Sequence, residues 1–352
     1  MKISVIAPPY IPIPPPMYGG IEMVAYELVE GLTKLGEDVI LFAPRGSEVS
    51  CRLVPFIEED IYFGLDSTLR EKRLVSILAS KFAYAMSVAG DVDIIHDHKL
   101  SLNEVDIPKV YTLHGPANEH SVNRCVELTE QGNNYFVAIS DRQKELYLQI
   151  NKNINFVGTV HNSIDVENIP FSSEKEDFFL FIGRSNWEKG LDLAVRVANK
   201  ARVGLVMAVK KSEQFEKEFF EKEIQPWIDS FPKDLHFKLY EEINKDLKAD
   251  LYKRARCTLF TSQWEEPFGM VMIESMAAGT PVISLRRGAA PEVIVDGKTG
   301  FLVDTEQELV EATKKTDRIS PRECRRHVRE NFSNTHMAQK YLDIYRDIIG
   351  KS

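Results

Sequence analysis

The sequence predicts an α/β protein of two parallel-sheet domains that face each other across a cleft. Three observations predict it. Short apolar runs alternate with helix-length amphipathic stretches along nearly the whole chain, the pattern of strand–helix–strand units. A polar stretch from His161 to Asp177, which carries Pro170 and ends in S-S-E-K-E-D, divides that alternation into two halves. The chain's 352 residues are enough for two ordinary cores.

In the first half, strands are expected at Ile3–Ala7, Val39–Ala43, Ile94–His96, Lys109–Leu113, Tyr135–Ala138 and Phe156–Val160. Helices are expected at Ile21–Leu35, stopped by Gly36, and at Arg142–Leu148, with Ser140 as N-cap. Thr68–Val88 sets Arg70, Lys72, Arg73 and Lys81 against Leu74, Ile77, Leu78 and Phe82, and is expected to be a surface helix packed on the sheet. The second half repeats the plan. Its strands are expected at Phe178–Ile182, Gly204–Ala208, Leu235–Leu239, Cys257–Thr261 and Val282–Ser284, with helices at Gly190–Asn199, Glu213–Ile228, Lys245–Ala255 and Val271–Ala278. The expected division is 1–160 and 161–334, with the last helix, Thr335–Ile349 within 335–352, packing back on the first half.

Composition excludes several functions. A net charge of −9 without a dominant cluster of Lys and Arg argues against nucleic-acid binding. Cys51, Cys125, Cys257 and Cys324 form no C-x-x-C pair, which argues against structural zinc and a disulfide framework and favours a reduced, cytoplasmic setting. The start M-K-I-S-V-I-A-P-P-Y is expected to be a first buried strand rather than a signal peptide, and no apolar run approaches the length of a membrane span. A peripheral membrane contact stays open but is not predicted, and no motif specifies an oligomeric state.

The most informative stretch is W-E-E-P-F-G-M-V-M-I-E-S-M-A-A-G-T-P, from Trp264 to Pro281. Pro267 and Gly269 break a buried strand, and Met270–Ala278 favours helix up to the stop at Gly279 and Pro281. Glu266 then lies in a strand-to-helix loop and Glu274 on the helix's second turn. Between them the N–H groups of Phe268, Gly269, Met270 and Val271 and the helix dipole suit an anion. The stretch offers carboxylate acceptors for hydroxyls beside backbone donors for phosphate.

Two further loops suit phosphate. Gly19 and Gly20 sit between the first strand and first helix, where backbone N–H groups can approach a ligand. The absence of G-x-G-x-x-G, and of an acidic residue after the second strand at Ala43-Pro44, argues against a nicotinamide cofactor. Arg184 and Lys189 flank the next such loop, and both can point at one pyrophosphate. His96-Asp97-His98 lacks a third ligand at metal spacing, and Asp91-Val92-Asp93 precedes a strand where a metal-holding pair would end one, so no metal is expected. His114, at a strand end beside Gly115, is better placed to meet a substrate.

Together these motifs resemble the retaining glycosyltransferases of family 4, whose fold is the two-domain, Rossmann-like GT-B arrangement. The resemblance runs over essentially the full length. Y-G-G-I-E (Tyr18 to Glu22), Y-T-L-H-G (Tyr111 to Gly115), H-N-S-I-D (His161 to Asp165), F-I-G-R-S-N-W-E-K-G (Phe181 to Gly190), E-P-F-G-M-V-M-I-E-S-M-A-A-G-T-P-V-I and G-A-A-P-E-V-I-V-D-G-K-T-G-F-L-V (Gly288 to Val303) carry it. It implies that the N-terminal domain holds the acceptor and the C-terminal domain the nucleotide-sugar donor. Glu266 would meet donor-sugar hydroxyls and Glu274 the ribose. Arg184 and Lys189 would neutralise the leaving diphosphate with Gly20 and the N–H groups of Gly269, Met270 and Val271, and His114 would lie beside the sugar.

The proline-rich opening is similar to members that use UDP-sugars, which implies UDP-glucose or a close relative. Transfer of a glucose- or mannose-type hexose to an unidentified hydroxyl acceptor, on the same face and without a metal or other cofactor, is the expected reaction. The same fold leaves open a nucleotide-sugar 2-epimerase, a sugar phosphorylase or a non-catalytic nucleotide-sugar binding module. Asn162-Ser163 and Ala289-Ala290 depart from the family's glycines at two donor-side loops.

Overall fold

The computed structural model describes residues 1–16, 19–56, 69–101 and 105–350, with side chains from residue 73 onward in the helix that opens at Leu69. Tyr18 of Y-G-G-I-E, Thr68, and the side chains of Arg70 and Lys72 lie outside the described residues. The chain forms two compact units, Met1–Ile164 with Ser333–Ser352, and Asp165–Phe332.

The first unit begins β1 (Lys2–Ile6), α1 (Gly20–Lys34), β2 (Asp38–Ala43), β3 (Arg52–Pro55), α2 (Leu69–Ala89), β4 (Ile94–Asp97) and β5 (Lys109–Leu113). It continues with α3 (Glu119–Glu130), β6 (Asn134–Ala138), α4 (Asp141–Ile150) and β7 (Phe156–Thr159). The second unit holds β8 (Phe179–Arg184), α5 (Leu191–Ala201), β9 (Leu205–Lys210), α6 (Gln214–Phe219), α7 (Gln225–Asp229), β10 (Phe237–Glu241), α8 (Lys245–Arg254) and β11 (Cys257–Phe260). Then come α9 (Met270–Ala277), β12 (Val282–Leu285), α10 (Ala290–Val293), β13 (Gly300–Val303), α11 (Glu306–Thr313) and α12 (Pro321–Asn331), and α13 (Asn334–Ile349) returns to the first unit.

Each unit is built on one parallel sheet. The orders are β3-β2-β1-β4-β5-β6-β7 and β10-β9-β8-β11-β12-β13. The strands are nearly continuous apolar runs because helices cover both faces. In the second unit, Phe179, Phe181, Leu205 and Met207 pack under α5 and α11, and Phe178, Leu180, Val206 and Ala208 pack under α8 and α9.

Several local signals act as expected. Ser140 caps α4 by accepting from Gln143 N at 3.1 Å. Other elements differ from expectation. β3 is short and largely exposed, so it shows no apolar run. The helix expected over Glu213–Ile228 carries a π segment at Phe220–Ile224 just before Pro226, whose missing N–H interrupts the α ladder. The polar stretch between the halves is well anchored: Ser163 and Ile164 are buried, and the Arg325 guanidinium donates to the carbonyls of Val166 and Ile169 at 2.8 Å.

α2 is turned the other way from the sequence reading. Its small and polar residues Ala79, Ser80, Ala83, Tyr84 and Ser87 are buried, while Leu74, Ile77, Leu78 and Phe82 are exposed. Hydrogen bonds decide this orientation. Ser87 pairs with Ser4 at 2.6 Å, Tyr84 donates to Asp97 at 2.8 Å, and Ser80 meets Ser101 and the Lys99 ammonium at 2.8 and 3.0 Å.

α13 crosses the first unit on α1 and reaches the centre of its sheet. Gly31 of α1 allows this, because a Cβ there would lie 2.4 Å from the Asn334 carbonyl oxygen and 2.8 Å from Ala338 Cβ. Gly31→Ala is therefore expected to destabilise the protein by about 1–3 kcal/mol, although alanine is the better helix former. A chemical denaturation midpoint that rises instead would show that α1 and α13 are not this close.

Candidate functional site

In both sheets the strand order reverses beside the first strand of the unit. β1 lies between β2 and β4, and β8 lies between β9 and β11. Loops leaving the carboxyl ends of β8 and β11 therefore diverge, as do those leaving β1 and β4, and such switch points are where open parallel sheets hold ligands. The residues singled out from sequence collect at these two places.

In the second unit, Arg184 ends β8, and a 3₁₀ turn at Trp187–Lys189 presents Lys189. Gly190 follows with φ +65°, and a Cβ there would lie 2.1 Å from the Thr261 carbonyl oxygen. Only glycine allows this contact between the loops after β8 and β11. Gln263 N donates to the Glu188 carbonyl at 2.7 Å and Thr261 Oγ1 to that of Gly190 at 2.8 Å. Gly288 closes in from β12, where a Cβ would lie 2.4 Å from the Glu266 carbonyl oxygen, and Ala289 N donates to that oxygen at 3.0 Å.

Held on both sides, Glu266 Oε2 accepts from Lys189 Nζ at 2.5 Å and from Trp264 Nε1 at 2.8 Å. The Lys189 ammonium also lies 5.3 Å from the centre of the Trp264 ring, a cation–π distance. Carboxylate, ammonium and indole thus fix one another. Arg184 takes a different partner: its Nε donates to Glu216 Oε1 at 2.6 Å. Burial pushes the Glu216 carboxyl up, but the backbone N–H groups of Glu213 and Ser212 and the Arg184 guanidinium outweigh it, so Glu216 sits below the usual carboxylate range.

α9 opens directly behind Glu266. Gly269 caps it with φ +86°, where a side chain would meet the Phe260 ring and Met272 at 2.8 Å. Phe268 is buried and edge-on to Phe332, with ring centres 6.0 Å apart, and so pins the start of the helix. The N–H groups of Met270 and Val271 have no acceptor inside the helix. One turn on, Glu274 accepts from Lys248 Nζ at 2.8 Å and from the Tyr252 hydroxyl at 3.0 Å. Burial, and then the Glu274 charge, push the Tyr252 phenol up, which keeps it a donor.

In the first unit, Gly19 precedes α1 and Gly20 begins it, with open space where a Gly20 Cβ would point. Glu22, in the same first turn, is buried, and desolvation raises its carboxyl against an opposing backbone N–H. At the ends of β4 and β5 three imidazoles stack in a column. His96 and His98 lie 4.5 Å apart between ring centres and His98 and His114 5.1 Å, with His98 Nδ1 2.9 Å from His114 Nε2. His96 is tied to Tyr345 of α13 and to Thr112, at 2.7 Å for the latter. Burial lowers His96 to about 3 and His114 to about 4, and pushes His98 down as well, so all three are neutral at pH 7. His98 Nε2 is buried without a partner. Among the described residues no three His, Cys, Asp or Glu side chains are arranged to hold a metal ion, and no helix is long and apolar enough to cross a membrane.

Two family models match consecutive parts of the chain. "Glycosyltransferase Family 4" matches residues 18–168 and "Glycosyl transferases group 1" matches residues 162–331. The chain belongs to the glycosyltransferases.

This glycosyltransferase is 34% identical over 105 residues to spore coat protein SA of Bacillus subtilis, an alignment covering 27% of this chain and 28% of that protein. It is 25% identical over 95% of both chains to the N-acetyl-alpha-D-glucosaminyl L-malate synthase of Bacillus anthracis. Among solved structures it is similar to sucrose-phosphate synthase from Thermosynechococcus elongatus, with TM-score 0.76 and 19% identity over 100% of both chains. It is also similar to Anabaena HepE in complex with UDP-glucose, with TM-score 0.71 and 16% identity over 99% of this chain and 100% of that one. The fold is GT-B.

Geometry adds residues that the sequence reading passed over. Trp264 stands in the motif itself, yet its role shows only through its indole N–H. Lys248 and Tyr252 are four apart on α8, a spacing that puts them on one face, but nothing in sequence aims that face at Glu274. Glu216 and His98 likewise act on Arg184 and His114 from other elements.

The histidine column sets a pH dependence. Each imidazole has a folded pKa below the ordinary value near 6.5, so the unfolded chain binds protons first as pH falls. The stabilisation is complete above about pH 6.5 and is lost as pH drops towards 4. The thermal midpoint of the glycosyltransferase is expected to fall between pH 7 and pH 5, and less so in His98→Asn. An equal fall in both proteins would remove His98 from the account.

Proposed function

We propose that the protein transfers a hexosyl group of glucose or mannose type from a nucleoside diphosphate sugar, UDP-linked, to a hydroxyl acceptor with retention at the anomeric carbon and without a metal. The observation that carries this reading is the pairing of Lys189 with Glu266 at the start of α9, with Glu274 one turn further on. It sets a cation against one carboxylate in the loop that leads into α9, ahead of the helix's first N–H groups, with a second carboxylate on that helix.

The chemistry asks for that combination. Breaking the bond between the anomeric carbon and phosphate oxygen builds positive charge on the sugar and negative charge on the leaving diphosphate, and fixed dipoles can stabilise both. In this reading Arg184, Lys189 and the N–H groups of Gly269, Met270 and Val271 receive the diphosphate, together with those of Gly19 and Gly20. Phe268 holds the helix start in place for them. Glu266 accepts from sugar hydroxyls and supports charge at the anomeric centre, and Glu274 accepts from ribose hydroxyls. Neutral His114 is assigned to the transferred sugar.

As the acceptor oxygen bonds to the anomeric carbon, its proton passes to the departing diphosphate oxygen. No covalent sugar–enzyme bond is then needed. The UDP assignment is supported by the solved likeness to a protein that holds UDP-glucose, and by the proline-rich opening.

Lys189→Ala and Glu266→Ala are each expected to lower turnover by about 10²–10³-fold, the scale for removing one charge-stabilising group, with the thermal midpoint nearly unchanged. Glu274→Ala is expected to weaken the binding of UDP, GDP and ADP alike in titration calorimetry, because the ribose is common to all three. Anomeric analysis of the product by NMR and turnover with added chelator check the rest. An inverted product, or activity abolished by chelator, would overturn the mechanism.

A further inference from the structure

The outward face of α2 combines features that an ordinary surface helix lacks. Leu74, Ile77, Leu78, Phe82, Met86 and Val88 are all exposed, Leu74 and Leu78 to 55% and 57%. Positions 74, 77, 78, 81 and 82 follow the spacing of a single helical stripe, the spacing that normally faces a core. The helix cannot turn this stripe inward without breaking the bonds of Ser80, Tyr84 and Ser87 to Lys99, Ser101, Asp97 and Ser4. The apolar face is thus held outward by a polar inner face.

Charge selects the occupant. Lys81 lies seven residues from Leu74, about 20° short of two full turns, so it stands in the middle of the stripe. From Arg73 to Ala89 the helix carries Arg73 and Lys81 and no acidic residue. This is a local basic excess on a chain of net charge −9. A two-fold contact with a second copy through the centre of this face would bring two Lys81 ammonium groups together, which is unfavourable. An anionic bilayer surface accepts both parts, with apolar side chains in the interfacial region and lysine reaching the headgroups.

We propose that α2 is a membrane-docking surface that lays its Leu74–Val88 face on anionic lipid. The docking is independent of the donor assignment and stands or falls without it. The test is co-sedimentation of the full chain with phosphatidylcholine vesicles and with vesicles containing one third phosphatidylglycerol, at low salt and at 0.5 M salt, with sedimentation velocity run beside it. The wild-type protein is expected to bind the anionic vesicles at least tenfold more than the neutral ones, and high salt to weaken binding severalfold. Leu78→Glu and Lys81→Glu are each expected to reduce binding by about tenfold, whereas Ile150→Glu, an exposed apolar position on α4, leaves it unchanged. No vesicle binding, binding equal for all variants, or a concentration-dependent dimer abolished by Leu78→Glu in place of vesicle binding would each overturn the proposal.

Discussion

The candidate donor side depends on two backbone approaches that only glycine permits. Gly190 brings the loop after β8 against Thr261, and Gly288 brings the loop after β12 against Glu266. Without them the loop after β11 would stand away from its neighbours, and Lys189 could not reach Glu266 across 77 positions of sequence. A side chain at either place would collide with backbone, which cannot rotate aside as a flexible side chain can. The ion pair is therefore a consequence of loop packing, and its charges act on groups already placed.

That order of cause explains how much could be read from sequence. The alternation of apolar runs and helices set out two parallel sheets, and Pro267 and Gly269 located the start of α9 within a residue. α3, though missed, does carry a local mark in its N-cap Asn118, whereas β13 was not legible in sequence because it is held by its ladder with β12. Partners were less legible than motifs for the same reason. Glu216 neutralises Arg184 from the helix after β9, and Lys248 and Tyr252 meet Glu274 from the helix after β10, contacts that no local spacing encodes.

α2 illustrates the limit most directly. A hydrophobic stripe at helical spacing ordinarily marks the face that packs, because burying Leu, Ile and Phe is worth more than burying Ala and Ser. Here the small face wins because its hydroxyls satisfy Asp97 and Lys99, two ionisable groups at the end of β4 that burial would otherwise leave costly. Burial lowers the Lys99 ammonium even so, with the Asp97 charge opposing. Periodicity reveals that a helix has two faces; the polar groups it must satisfy decide which one turns inward.

The same reasoning connects the end of the chain to the histidine column. α13 sends Tyr341 and Tyr345 to the middle of the first sheet, where they meet Thr112 and His96. His96 thereby has partners at both ring nitrogens, whereas His98, stacked on it at an interplanar angle of 10°, has one at Nδ1 alone. A neutral imidazole carries one donor and one acceptor, so the His98–His114 bond fixes the tautomer of one ring by that of the other. A helix more than two hundred residues away in sequence, 249 from His96 at Tyr345, thus supports the base of the stack whose far end is His114. Its constraint on His114 is transmitted by ring packing and one hydrogen bond, without any charge in the column.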